Sequence, residues 1–256
     1  MTDATVADRR LPDILWPAEA RDLLAAAPSV AFADTVEQLV DLAVPTEQRR
    51  GYHVVGYDVP GDGFVEEAHV CRVRNGVSAN YLEPYMRRRD PECMCIGDHK
   101  PTNKTRFSDR FGKPFEPLRQ ETFDWLKTQD LACFAFHCGG EEQKLPALAI
   151  APANAGFFAL GLAMLQGIVP FDHVVKDVPP AAIIYIAPPF RHSHFDGKQV
   201  VVHNRTDDLH ELFSYNLYPG PSAKKGVYGV LLTRGEKEDW ITAHCSTVQV
   251  VTPYDN

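Results

Sequence analysis

The chain has 256 residues, of which 45% are hydrophobic and 23% charged. Those values rule out wholesale disorder, and a chain this long buries a core without disulfide or metal staples. A formal net charge of −8 argues against nucleic acid or an anionic membrane as the main partner.

Twenty prolines predict loops and short elements rather than a helical bundle. The N-terminal residues Met1-Thr2-Asp3-Ala4 lack the basic-then-apolar run of a signal peptide. Six cysteines form no dense framework, which together predicts reduced thiols in a cytosolic protein. The uncharged run from Leu145 to Phe171 is interrupted by Pro146, Pro152 and Pro170. It reads as a buried strand, a turn and a buried helix rather than a membrane span.

In chain order, the first ~50 residues read as helical. Pro17 to Ala27 is a helix that Pro28 ends. Asp34-Thr35-Val36-Glu37 resembles a capping box, and Val36, Leu39, Val40 and Ala43 form one apolar face behind it. Tyr52 to Val59 reads as a strand, Pro60-Gly61-Asp62-Gly63 as a turn, and Phe64 to Val73 as the return strand. Asn75-Gly76 marks another turn. Tyr81 to Gly112 is a long polar loop, and such loops are more often functional than accidental. A helix from Phe115 to Thr128 follows.

The second half alternates apolar strands and helices. Leu131 to Phe136, Ala147 to Ala151, Ala181 to Ala187, Val200 to His203, Gly226 to Thr233 and Ile241 to Val251 read as strands. Arg234 to Asp239 is a charged turn, and Ala155 to Gln166 a buried helix. The expected fold is α+β or mixed α/β, with a central mixed sheet flanked by helices. One domain spans 1–256, its helical segment 1–50 packed on a sheet domain 51–256.

Four stretches carry candidate chemistry. In Arg191-His192-Ser193-His194, the H-x-H spacing puts both rings on one strand face, which suits a metal, with His203 as a third ligand. A metal-free active-site histidine and plain hydrogen-bonded sheet histidines are the alternatives. Asn216 to Gly226 has the glycines and Ser and Lys donors of an anion loop, but its lysines precede the second glycine, unlike a P-loop. Its bland reading is a surface turn. Asn154 at a strand-to-helix junction reads as a helix cap. In the polar loop, Arg72 and Arg74 share a strand face and could clamp a carboxylate. Asp98 follows the apolar run Met94-Cys95-Ile96-Gly97, a place for an acid/base carboxylate. A salt-bridge network ordering the loop is the bland alternative.

Arg72, then Asp98 and Thr105 in the polar loop, then His244, resemble the single-domain microbial Pictet–Spenglerases that make β-carbolines from tryptophan and an aldehyde. The resemblance rests on scattered positions over most of the chain. It implies a metal-free, cofactor-free cyclase of secondary metabolism. Arg72 would anchor the amino-acid carboxylate, and Asp98 would move protons. Thr105, His244, Arg88 and His194 would line the substrate pocket. Asp98 is shorter than the family's glutamate, and Arg87, Arg88 and Arg89 stand where the family has a histidine. The implied partners are an amino acid and an aldehyde, with no nucleic acid and no membrane, and the apolar strands suit a homodimer. A metal-dependent enzyme using His192, His194 and His203 is a second reading. A third is a non-catalytic protein whose Gly220-to-Gly226 loop holds an acidic metabolite.

Overall fold

The computed structural model describes residues 11–44, 51–59, 63–74, 76–83, 90, 92–139, 143–187, 195–216 and 221–243. Its strands are β1 (Val30–Ala33), β2 (His53–Val59), β3 (Gly63–Val73), β4 (Gly76–Tyr81), β5 (Met94–Ile96), β6 (Leu131–Cys138), β7 (Leu145–Pro152), β8 (Ala182–Ala187), β9 (Val200–Arg205) and β10 (His210–Tyr215). Its helices are α1 (Ala18–Ala26), α2 (Val36–Ala43), α3 (Phe107–Phe111), α4 (Glu116–Leu126), α5 (Gly156–Gln166) and α6 (Pro221–Glu238). The architecture is the expected mixed α+β.

Seven strands form the main sheet in the order β1-β6-β7-β8-β10-β9-β5, and β2-β3-β4 form a separate antiparallel sheet. β7, β8 and β10 run parallel to one another. β9 is antiparallel to β10, and β5 is parallel to β9. The ends of β8 and β10 therefore share one edge of the sheet with the starts of β9 and β5. The starts of β8 and β10 share the opposite edge with the ends of β9 and β5.

Both faces of the sheet are covered, so its inner strands read as apolar runs without alternation. All six residues of β8 are buried. On one face Leu39 and Ala43 of α2, Phe157 and Leu162 of α5 and Val227 and Val230 of α6 join Leu212. Val55, Ala68 and Val70 of the small sheet belong to the same cluster, which ties the two sheets together. On the other face Leu23 and Leu24 of α1 and Leu118, Phe123 and Leu126 of α4 pack with Tyr185, Phe213 and Tyr215. Phe213 stacks on Tyr185 at 4.9 Å and meets Phe123 edge-on at 5.8 Å. Burial of each such ring contributes about 2–3 kcal/mol.

Several elements depart from the sequence reading. Residues 226–233 are not a strand, and 234–238 not a turn: both lie in α6. The glycines there serve contact rather than turning. A Cβ on Gly226 would stand 2.3 Å from Leu212 Cδ1, and one on Gly229 would stand 2.4 Å from His203 Cε1. The helix can lie this close to the sheet only where it has no side chain. β10 went unread because polar residues interrupt His210-Glu211-Leu212-Phe213-Ser214-Tyr215. β1 and β4 are also additions, and β1 carries the helical N-terminal segment into the main sheet. α3 sits within the polar loop. The capping box is one residue later than read: Thr35 is the N-cap and Gln38 closes the box. Asp34 instead accepts the Phe171 N–H at 2.7 Å. Asn154 lies inside a 3-10 turn, and α5 starts from Ala155 without a side-chain cap. The expected strand Ile241–Val251 falls mostly outside the described residues, and residues 241–243 have no regular structure. Among the described residues, no helix is long and apolar enough to cross a membrane.

Glu211 on β10 is the most deeply buried acid with a direct counter-charge. Arg119 of α4 donates to it from Nη2 at 2.7 Å and Nε at 2.9 Å, and Asn204 Nδ2 donates at 2.7 Å. Arg119 also reaches Glu19 of α1, so one guanidinium joins two helices to the sheet. Removing one partner of such a pair leaves a buried charge unmatched. Glu211→Ala should therefore lose about 3–5 kcal/mol in equilibrium urea unfolding; a loss below ~1 kcal/mol would show that the pair is dispensable.

Candidate functional site

Asp98 stands two residues past the end of β5, as expected, and both of its oxygens are engaged. The Arg205 backbone N–H and Nε donate to Oδ2 at 2.7 and 2.9 Å. Arg205 Nη2 and the Lys100 N–H donate to Oδ1, each at 2.9 Å. Burial opposes the charge, but these hydrogen bonds and the guanidinium prevail and hold the carboxyl below its ordinary range. Asp98 is thus one half of a structural ion pair rather than a free acid or base. Arg106 completes the loop by donating to the Asp98 and Lys100 carbonyls at 2.5 and 2.9 Å. The salt-bridge network weighed as the bland alternative is what orders this loop.

The other expected residues do not assemble around Asp98. Arg72 leaves β3 to pair with Asp41 of α2. Thr105 is exposed, and its carbonyl accepts the Ile96 N–H at 3.0 Å. Arg88, His192, His194 and His244 lie outside the described residues. Among the described residues, no three histidine, cysteine or carboxylate side chains come together as a metal site.

Two groupings emerge that the sequence reading did not assemble. The first lies at the edge where β8 and β10 end and α6 begins. In general, open sheets with parallel strands bind ligands outside the carboxyl ends of those strands. Asn216 closes β10 in the left-handed region at φ 51°, a conformation asparagine tolerates. Its Nδ2 donates to the Lys198 carbonyl at 3.0 Å, which fixes the amide's orientation. Its Oδ1 is buried without a hydrogen-bond partner among the described residues. Tyr215 pairs with Val200, so Asn216 and Gln199 are neighbours across the end of the ladder. Gln199 Nε2 donates to Cys93 Sγ at 3.1 Å, and its Oε1 is also buried and unpartnered. Ser214 Oγ, one strand step back from Asn216, is a third such atom. Each unmet oxygen costs about 1–3 kcal/mol, and native folds rarely concentrate them. Lys225, in the first turns of α6, is exposed. Burial pushes the Cys93 thiol up; the Gln199 hydrogen bond opposes it, the Asp90 charge adds to it, and the Lys225 charge pulls it down, with the upward shift prevailing. The lysine is therefore within electrostatic reach of this floor. The loop read as an anion loop and the segment carrying His192 and His194 both depart from this edge.

The second grouping lies at the opposite edge. His203 of β9 and His210 of β10 meet at 2.8 Å, Nδ1 to Nε2, with rings at 72°. Burial, then the Arg205 charge, push His203 down to about 4, with Asp98 acting weakly the other way. Burial and the charges of His203 and Arg205 push His210 lower than its ordinary value as well. Both rings are neutral at pH 7. The sequence suggests His203 as a metal ligand; its pairing with His210 follows from the β9–β10 register, which no local pattern reveals.

The fold is a two-sided mixed sheet whose parallel core strands end in a polar, partly unsatisfied edge. The chain belongs to the family described as a domain of unknown function, DUF4914, whose family model matches residues 16–256. No curated protein matches it.

The histidine pair makes stability depend on pH in a defined window. As pH falls from 6.5 toward about 4, the unfolded chain binds protons that folded His203 refuses, so stability falls. The loss should reach about 3 kcal/mol by pH 4. Asp98 acts lower: its stabilisation is present above its ordinary value of 3.8 and is lost as pH falls through its depressed value. Thermal midpoints measured from pH 7 to 3 should fall through the upper window, and His203→Asn should flatten that part of the curve. An unchanged slope in the variant would contradict the buried neutral assignment.

Proposed function

We propose that the protein is a small-molecule enzyme acting on an amino or hydroxy acid held at the edge where β8 and β10 end. The observation that carries this is the cluster of buried, unpartnered oxygens on Ser214, Gln199 and Asn216. Amide oxygens accept hydrogen bonds, so they call for a ligand that donates, an ammonium or a hydroxyl. Lys225, whose charge reaches Cys93 at this edge, favours an acid group on the same molecule. A ligand with both groups meets both demands.

A Pictet–Spengler condensation, the reaction the resemblance implies, takes such a ligand. An amino acid's amine condenses with an aldehyde to an iminium and releases water. The indole carbon then attacks the iminium carbon, and a ring proton leaves to restore aromaticity. Asp98 is engaged by Arg205, so the proton steps fall to other groups. Of the expected residues, His194 and Arg88 belong to chain segments that adjoin this edge in sequence. His194 and Arg88 keep the pocket-lining role that the resemblance implies. The amide oxygens would hold the amine.

Purified protein incubated with L-tryptophan and a panel of aldehydes should yield, by mass spectrometry, protein-dependent product at the summed masses minus water. Product in the no-protein control at the same rate would remove the condensation. Ligand-dependent thermal stabilisation by amino or hydroxy acids should accompany binding. Lys225→Ala should weaken that binding by about 10–100-fold, the loss of one charged hydrogen bond. Stabilisation without turnover would leave the non-catalytic acidic-metabolite binder as the function. No stabilisation by any acid would refute the site.

A further inference from the structure

The His203–His210 pair opens on a cleft of about 330 Å³, at the opposite end of the sheet from the edge assigned above. Met94 and Ile96 of β5 form its apolar floor, and Leu232 and Thr233 of α6 one wall. Residues 101–104 form the other wall, and Lys100 just before them is held by the Arg106 and Asp98 hydrogen bonds. Its size matches the lower end of small-molecule sites.

The hydrogen-bond inventory of the two rings determines what the cleft presents. A neutral imidazole has one N–H and one bare nitrogen. One ring must donate in the 2.8 Å contact between His203 Nδ1 and His210 Nε2. His210 Nδ1 is buried and, among the described residues, has no partner in either arrangement. If His203 donated, that nitrogen would be an orphaned N–H. If His210 donates, it is a bare lone pair, and buried acceptors go unmet more readily than buried donors. His210 Nε2–H therefore donates to His203 Nδ1, and the His203 proton resides on Nε2. Gly229 lets α6 close over the ring without blocking it, since any Cβ there would collide with Cε1.

The charges around the cleft are largely matched. Arg205 is paired with Asp98 and Lys100 with Asp207, and Lys104 and Glu236 both line the opening. Lys237 at the end of α6 donates to the Asp207 carbonyl at 3.0 Å. A charged ligand gains little in such surroundings. An uncharged ligand with an apolar body and one acceptor oxygen fits the floor and the donor.

We propose that this cleft is a second small-molecule site, for an uncharged carbonyl compound, with His203 Nε2–H donating to the carbonyl oxygen and His210 holding the proton there. His203 is the residue that touches the ligand, and His210 is a positioning residue. The donor polarises the carbonyl, and no bond need form or break.

Two NMR measurements on the intact chain test this. Long-range 1H–15N spectra at pH 7.5 report the imidazole tautomers without any ligand. His203 should carry its proton on Nε2, and His210 likewise on its own Nε2. A His203 signal with the proton on Nδ1 would overturn the proposal at once. Titration with cyclohexanone, a ketone without acid or amine groups, should then shift the His203 Nε2 resonance saturably in the millimolar range. Leu232→Trp, which fills the wall from a half-buried position, should weaken that shift at least tenfold. His210→Gln should move the His203 tautomer ratio, an effect that packing alone would not produce. The absence of a saturable shift, or an equal one in Leu232→Trp, refutes the cleft. Neither result bears on the amino- or hydroxy-acid edge, which Lys225→Ala reads separately.

Discussion

β10 runs between β8 and β9 with both faces covered, yet His210, Glu211, Ser214 and Tyr215 are four of its six residues. A polar group buried without a partner costs more than its pairing contributes. The strand can therefore sit there only if its neighbours supply partners. Arg119 and Asn204 answer Glu211, Thr122 answers Tyr215 at 2.8 Å, and His203 answers His210. Those three demands set where α4 crosses the sheet and where β9 pairs. They also leave Ser214 unmet, which is why the strand's far end reads as a site rather than as core.

The two ends of the sheet differ in how their polar groups are settled. At the start of β10 the ion pair between Asp98 and Arg205 closes the loop 97–106, and the histidines close on each other. Burial keeps that end neutral apart from a matched pair. At the end of β10, Asn216 and Gln199 each spend their N–H on a neighbour and leave an oxygen over. The first arrangement is rigid and electrically quiet. The second gathers three oxygens without partners among the described residues, against one histidine nitrogen at the first, and has the exposed Lys225 within reach. A ligand is the economical way to complete it, because ordering the chain has already met the conformational cost.

α6 links the two ends. It starts beside Asn216, passes over Leu212 and His203 at its glycines, and ends near Asp207.

Much of the fold was legible in local sequence. Apolar runs located β6, β7, β8 and β9, and alternation with a glycine-rich turn located the β2–β3 hairpin. Proline placement bounded α1. Periodicity carries that information because side-chain burial on a sheet or helix repeats at a set spacing. The misread elements share one cause. β10 looked polar because its partners lie up to about a hundred positions away, as Arg119 does from Glu211. α6 looked like a strand followed by a charged turn because a short apolar run preceded Arg234 to Asp239, whereas its glycines mark contact with Leu212 and His203. The candidate residues divide the same way. Sequence placed Asp98 after an apolar strand, and it is there. Only the register of β9 against β10 brought Arg205 onto Asp98, His203 onto His210, and Gln199 beside Asn216. Composition and periodicity determined which segments fold and which are buried. Which buried polar groups find partners was decided by tertiary structure, because hydrogen bonding depends on positions in space that sequence separation does not encode.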